Sequence, residues 1–346
     1  MTIGPDFIPR VSVIVTVYNA ASFLEPTLRS LLAQTFRNFE TVVVDDGSTD
    51  DSAALVELLA AGDSRIRLIR QANAGVADAL NRGIAESRGE FIALLDHDDL
   101  WHPAKLARQV ELLERDETVG FVGCYSALLD AGHRHLGWRF GNAVHGNVYR
   151  RMLFCDLVAG GSVALVRRTA FEQSGFFDHS SEIEGRSDWD QWLRLSRICN
   201  YAMVEESLVG YTRRPSNYSA DYQRMIQAGK AVLTKAAASD PELDAHTIRI
   251  AQSRDAFGIF CLSLADRKLE EAGKLLRRSV ELSWRPVLLS PKRWVVLLLF
   301  ALAGPMPQVA FEKLWRFVAR SAFKLTPGQA FMQESAPPSG RSESGI

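Results

Sequence analysis

Val11-Ser-Val-Ile-Val-Thr-Val17 opens the patterned part of the chain, and Tyr18-Asn19 ends the run abruptly. A short, largely β-branched apolar run of this kind reads as a strand buried on both faces. Ser22 then offers an N-cap, and Leu24, Leu28, Leu31 and Leu32 recur at helical spacing. The same alternation continues down the chain. Thr41–Val44 is a second strand, ending in Asp45-Asp46-Gly47-Ser48, and Leu55, Leu58 and Leu59 share a helix face. Ile66–Ile69 is a third strand, followed by a helix carrying Val76, Ala79, Leu80 and Ile84. Phe91–Leu95 is a fourth strand, ending in Asp96-His97-Asp98-Asp99, and Pro103 suits the first turn of a helix running through Leu106, Val110 and Leu113. Alternating buried strands and helices predict an α/β fold: a Rossmann-like, mostly parallel sheet flanked by helices on both faces.

Beyond this core the signals are shorter. Phe121–Cys124 and Gly161–Val166 read as strands, Asp188–Leu195 as a short helix, and Tyr201–Val204 and Val209–Thr212 as edge strands. From about Asp221 the pattern turns helical, with a hairpin expected over Ile248–Leu264 and Leu269–Leu282. Trp294–Ala303 is wholly apolar but falls short of the roughly 20 residues that a straight membrane span needs. Phe311, Leu314, Trp315, Val318 and Ala322 then fall on one helix face, and Lys313, Arg316, Arg320 and Lys324 on another. That is the pattern of a helix lying in a membrane interface, although a basic helix packed on an acidic body would look the same. The expected organisation is an α/β region over 1–222, with halves near 10–125 and 126–222. A helical extension over 223–285, a basic amphipathic segment over 286–325 and a disordered tail over 326–346 follow.

The chain has 346 residues and a formal net charge of -1, which argues against a nucleic-acid-coating protein. The neutrality is a cancellation. Residues 285–325 hold seven cations and one anion, so the rest of the chain is acidic. Cys124, Cys155, Cys199 and Cys261 form no Cys-x-x-Cys pair and sit in apolar stretches, so buried free thiols are expected. The N-terminus lacks a basic-then-apolar leader, so a cytoplasmic chain is expected, and the basic amphipathic end adds the expectation that it is peripheral on the inner face of the membrane.

Ligands of open α/β sheets bind beyond the carboxyl ends of the strands. Here those ends carry Thr16-Val-Tyr18-Asn19, Asp45-Asp46-Gly47-Ser48 and Asp96-His97-Asp98-Asp99, which makes an acidic crevice. Clustered carboxylates repel unless a cation sits among them, and oxygen ligands suit Mg²⁺ or Mn²⁺. Neither Gly-x-Gly-x-x-Gly nor Gly-x-x-x-x-Gly-Lys-Ser/Thr is present, so a dinucleotide site and a P-loop are disfavoured.

Taken in order, several stretches resemble family 2 glycosyltransferases of the GT-A fold. They are Val11–Asn19, Val44-Asp-Asp-Gly-Ser-Thr-Asp50, Asn73-Ala-Gly-Val76, Asn81-Arg-Gly-Ile84, Arg88–Asp99, Gly175-Phe-Phe-Asp178 and Asp188-Trp-Asp-Gln-Trp-Leu-Arg194. The resemblance spans about residues 10–220. It implies an inverting transferase that moves one sugar from a nucleotide-diphospho-sugar to an acceptor hydroxyl. Thr16, Tyr18 and Asp46 would then hold the nucleotide, Asp96 the ribose or sugar, and Asp98 a divalent metal, Mn²⁺ or Mg²⁺. Asp188 would be the general base. Arg82 reads either as a phosphate contact or as a surface pair. Trp189 and Trp192 either flank the base or are core. Asp99 reads as a helix cap, and Asp190 as solvent-facing or locally bonded. Many relatives carry a His near Tyr211–Asn217, where this chain has Arg213 and Arg214 as candidate diphosphate contacts. An arginine cannot ligate a metal, so the third ligand is missing from the pattern. The basic end points to a lipid-linked or cell-surface glycan acceptor at the membrane surface. The rival reading is a non-catalytic sugar-nucleotide-binding component of a polysaccharide assembly complex.

Overall fold

A computed structural model describes residues 8–323 apart from 142, 215 and 216. The expected tail over 326–346 and Lys324 lie outside the described residues. The elements run β1 (Val11–Val17), α1 (Leu24–Leu32), β2 (Phe39–Asp45), α2 (Ser52–Gly62), β3 (Ile66–Arg70), α3 (Val76–Glu86) and β4 (Phe91–Asp96). They continue as β5 (Leu100–Trp101), α4 (Lys105–Arg115), β6 (Val119–Leu129), β7 (His135–Phe140), α5 (Tyr149–Met152), β8 (Leu165–Arg167), α6 (Arg168–Ser174), α7 (Ser187–Ile198) and β9 (Asn200–Thr212). Six helices close the described chain: α8 (Tyr222–Ser239), α9 (Ala245–Ala265), α10 (Leu269–Leu282), α11 (Trp284–Leu288), α12 (Pro291–Ala303) and α13 (Gln308–Phe323).

The strands form one sheet in the order β3-β2-β1-β4-β8-β6-β9-β5, with β7 on β6. β3, β2, β1 and β4 are parallel, as expected of the fully buried β-branched runs at β1 and β2. β8 is antiparallel to both β4 and β6, while β6 and β9 are parallel. α3 lies so close to β1 that a Cβ on Gly83 would stand 2.4 Å from Ile14 Cγ2. The result is a mixed α/β sheet flanked by helices, with a helical C-terminal part.

Several details differ from the expectations. Tyr201–Val204 and Val209–Thr212 are one strand, β9, and β9 is not an edge: it lies between β6 and β5. Its middle, Glu205 and Glu206, is exposed where the pairing with β6 shifts register, so the polar interruption is a bulge rather than a turn. Gly161–Val163 is a 3-10 turn, and β8 starts only at Leu165. Cys155 is exposed, unlike the buried Cys124 and Cys261.

Among the described residues, two large hydrophobic clusters and a small one of Leu100, Ala127 and Leu129 make up the core. The first joins the sheet to Val232, Leu233 and Ala236 of α8 and Ala251 of α9. The second joins Phe257, Phe260 and Leu264 of α9 to Leu275, Val287, Val296, Leu299, Phe311 and Trp315. α9 therefore serves both, which is why it is apolar on more than one side. Of the α13 stripe expected to face a membrane, Phe311, Trp315 and Val318 are buried and Leu314 is exposed.

Candidate active site

The parallel register sets the site. Thr16 on β1 lies beside Val44 of β2 and Asp96 of β4, so the polar clusters that end these strands share one rim. Thr16 is buried and Tyr18 is 49% exposed beyond it. The loops after β1 and β2 are stitched together. The Asn19 N–H donates to Ser48 Oγ at 3.0 Å, and the Thr49 N–H donates to Asn19 Oδ1 at 2.8 Å. Gly47 adopts φ +80°, and a Cβ there would meet the Asn73 nitrogen at 2.8 Å. Only glycine lets these loops meet.

Asp45 is structural at Oδ1, which accepts from the Ser48 N–H at 3.0 Å. Asp46 is buried and braces the loop before α3. Its Oδ1 accepts from Gln71 Nε2 at 2.8 Å and from the Ala74 N–H at 2.9 Å, and its Oδ2 from the Gly75 N–H at 2.9 Å. A carboxylate offers about four acceptor positions, so Asp46 keeps capacity for a nucleobase donor.

At the end of β4, the Asp96 N–H donates to Ser162 Oγ at 3.0 Å, and Trp101 Nε1 donates to the Ser162 carbonyl at 3.0 Å. These bonds draw the loop before β8 against the strand end. Burial, reinforced by the charge of Asp98, pushes the Asp96 carboxyl up to about 6. Asp98 Oδ2 accepts from Arg214 Nε at 3.1 Å and also from its Nη2. The Arg214 guanidinium lies 3.8 Å over the Phe23 ring. Asp99 caps no helix, because α4 begins at Lys105. Its Oδ1 accepts from the Thr212 N–H at 3.0 Å and ties this loop to the end of β9. Burial and two neighbouring carboxylates raise it well above its ordinary value, as suits a buried structural acid.

Across the crevice, Asp188 occupies the first turn of α7, where Oδ1 accepts from the Trp189 N–H at 2.8 Å. Its carboxyl is pushed up to about 7, first by burial and then by the charges of Asp156 and Asp96. The charges of β4 and of the Asp156 loop thus both reach the Asp188 carboxyl. Trp189 and Trp192 are core: Trp189 Nε1 donates to the Met152 carbonyl at 2.9 Å, and Trp192 stacks on Phe121 with centroids 6.2 Å apart. Asp190 is also buried rather than solvent-facing, accepting from Arg194 Nε and from Lys235 Nζ, each at 2.9 Å.

Residues 12–175, which carry β1 to α6 and every element of this rim except α7 and β9, match the family described as Glycosyl transferase family 2. That segment belongs to the family.

The family 2 segment has curated relatives that agree. An uncharacterized glycosyltransferase of Rickettsia typhi is 31% identical over 205 residues, covering 58% of this chain and 63% of the relative. One from Rickettsia felis is 32% identical over 209 residues, covering 59% of this chain and 34% of the relative. The chain thus spans between about a third and two thirds of the length of these relatives. Among solved structures, the mannosyltransferase PcManGT of Pyrobaculum calidifontis, in complex with GDP-Man and Mn²⁺, superposes with a TM-score of 0.58 at 20% identity. The match covers 96% of this chain and 89% of that one. S. aureus TarS 1-349 in complex with UDP-GlcNAc gives 0.54 at 17% identity, covering 91% and 92%. At these identities the likeness is one of fold.

Two residues noted in the sequence stand apart from the family 2 rim. Arg82 pairs with Glu86 at 3.0 Å on the exposed face of α3, and Arg213 pairs with Asp266 at the end of α9. Among the described residues, no three His, Cys, Asp or Glu side chains cluster as a ready metal cage. Asp96 and Asp98 still present oxygen donors two residues apart, which fits an ion held by one or two carboxylates and a substrate diphosphate. Sequence reasoning missed Asp156 and Ser162. Their signal was the polar Asp156 and Gly160-Gly161-Ser162 inside an otherwise apolar stretch.

Proposed function

We propose that the protein is an inverting, single-sugar glycosyltransferase that uses a nucleotide-diphospho-sugar donor. The observation that carries this reading is Asp188, a carboxyl at the start of α7 pushed up to about 7 by burial and by the charges of Asp156 and Asp96. A base tuned near neutrality is suited to accept a hydroxyl proton. Thr16, Tyr18 and Asp46 hold the nucleotide, and Asp96 the ribose or sugar. Mn²⁺ or Mg²⁺ held at Asp98 would neutralise charge on the donor diphosphate. Arg214, already at this rim, is the second source of positive charge. The acceptor oxygen forms its bond to the anomeric carbon as the bond from that carbon to the diphosphate oxygen breaks. The proton passes to Asp188, the electron pair leaves with the nucleoside diphosphate, and the configuration at the anomeric carbon inverts.

The acceptor is a lipid-linked or cell-surface glycan, and the enzyme is peripheral on the cytoplasmic face of a membrane. No helix among the described residues is long and apolar enough to cross one. What supports surface contact is α12. Trp294, Leu298 and Leu302 line one exposed stripe, at 55%, 62% and 47%, while Val296, Leu299 and Ala303 hold the opposite side in the core. Lys292 and Arg285 flank it. Exposed apolar surface rimmed by cations suits anionic lipid.

A panel of UDP-, GDP- and dTDP-sugars, with and without Mn²⁺, tests the reading through release of nucleoside diphosphate. One donor should turn over well above the others. Absence of turnover with every donor, together with intact nucleotide binding, would favour the non-catalytic reading.

A further inference from the structure

Two guanidinium groups, those of Arg254 on α9 and Arg293 on α12, stand close enough for the charge of one to act on the other. Arg254 projects from α9 and is exposed, its guanidinium carbon 5.2 Å from the centre of the Phe154 ring. Arg293, in the first turn of α12, has its guanidinium carbon 4.4 Å from the centre of the Phe257 ring and donates one N–H to the Pro286 carbonyl at 2.8 Å. Arg254 and Phe257 are three residues apart on α9 and therefore share a face. The two cations are thus neighbours. Among the described residues, neither has a carboxylate within 4 Å. The one acid beside Arg254 in sequence, Asp255, is turned inward and holds Arg186 at 2.9 Å. Burial, reinforced by the charge of Arg254, holds Arg293 below the ordinary guanidinium range. Two like charges held side by side, one of them partly buried, favour an anion between them.

The place says which anion. Phe154, under Arg254, leads directly into Asp156, whose charge acts on the Asp188 carboxyl. Arg293 is followed at once by Trp294, the start of the exposed apolar stripe of α12. The pair is thus tied through Phe154 to the loop that carries Asp156 and through Arg293 to the start of the apolar face. Resting on the transferase reading above, we propose that Arg254 and Arg293 form the phosphate site for the acceptor, a glycan carried on a lipid phosphate or diphosphate. The lipid chain lies along Trp294, Leu298 and Leu302, and the sugar end reaches Asp188. Planar guanidinium groups lying against aromatic rings still present their edge N–H groups, and these match phosphate oxygens in pairs.

The test is binding of the full chain to neutral phosphatidylcholine vesicles doped either with a long-chain polyprenyl phosphate or with phosphatidylglycerol at equal surface charge. The wild type should prefer the polyprenyl phosphate vesicles. Arg254→Gln combined with Arg293→Gln should remove that preference, about tenfold in affinity, while phosphatidylglycerol binding persists and reports folded protein. Equal wild-type binding to both vesicles means a bilayer headgroup is the ligand and overturns the proposal, as does a preference kept by the Gln pair. Should the Gln pair lose both lipids, the Lys pair decides. A reduced preference there supports the site, because Lys keeps the charge but not the paired N–H groups, and an undiminished one overturns it. Donor turnover by the wild type reports separately on the transferase reading. A chain that prefers polyprenyl phosphate without turning over any donor keeps the site and loses that reading.

Discussion

Asp188 was legible as a residue because its helix carries acids and tryptophans in a recognisable order. Its chemistry was not legible, because that depends on what the fold packs around it. Spacing assigns Asp188 to the first turn of α7; only the fold brings Asp156 and Asp96 close enough to hold its proton. A general base works in its ionised form. With the carboxyl raised to about 7, kcat/KM should climb as pH rises through about 7, rather than near the usual carboxylate value of about 4. Asp188→Asn keeps the helix and the size of the side chain but cannot take a proton. It should cut turnover by about 10²–10⁴ with nucleotide binding retained, and should abolish that pH limb. Near-normal turnover in Asp188→Asn would move the base elsewhere. The same blindness to environment explains Asp190 and Asp99. Asp190 read as solvent-facing or locally bonded and Asp99 as a helix cap; both are buried acids, held by Arg194 and Lys235 in one case and by the Thr212 N–H in the other.

At the scale of elements, the continuous apolar strands β1, β2 and β4 were legible because parallel buried strands leave an unbroken apolar run. β5 has two residues, too few for any periodicity, and β9 was read as two strands because its bulge interrupts the apolar pattern. The meeting of the β4 and β9 ends was also hidden. Arg214 lies 116 residues from Asp98, and no local spacing announces their bond. That bond has a consequence for metal binding. A cation arriving at Asp98 must compete with a guanidinium already on Oδ2. Arg214→His removes the competitor and supplies a ligand nitrogen. Mn²⁺ affinity without donor, measured by electron paramagnetic resonance or calorimetry, should rise by about tenfold or more. Unchanged affinity would mean that the Arg214 bond has no bearing on the ion.

At the scale of the molecule, the helical extension is tied by ion pairs to the segments around the candidate site. Lys235 of α8 holds Asp178 and Asp190, Asp266 after α9 holds Arg213, and Asp255 of α9 holds Arg186. Arg186 is the residue that precedes α7, two positions before Asp188, and both members of its pair are only 12% exposed. Removing one partner of a buried pair leaves the other charge uncompensated. Asp255→Ala should therefore cost about 3 kcal/mol and lower the thermal midpoint by several degrees. The same change should reach the chemistry. Arg186 opposes the upward shift of Asp188, and with Asp255 gone its charge acts more fully on that carboxylate. The Asp188 carboxyl should then titrate lower, and the limb of kcat/KM should move below pH 7. A stability loss with an unmoved pH limb would mean that α9 only supports the fold. A shift of the limb toward lower pH would mean that a helix far along the chain sets the proton affinity of the base.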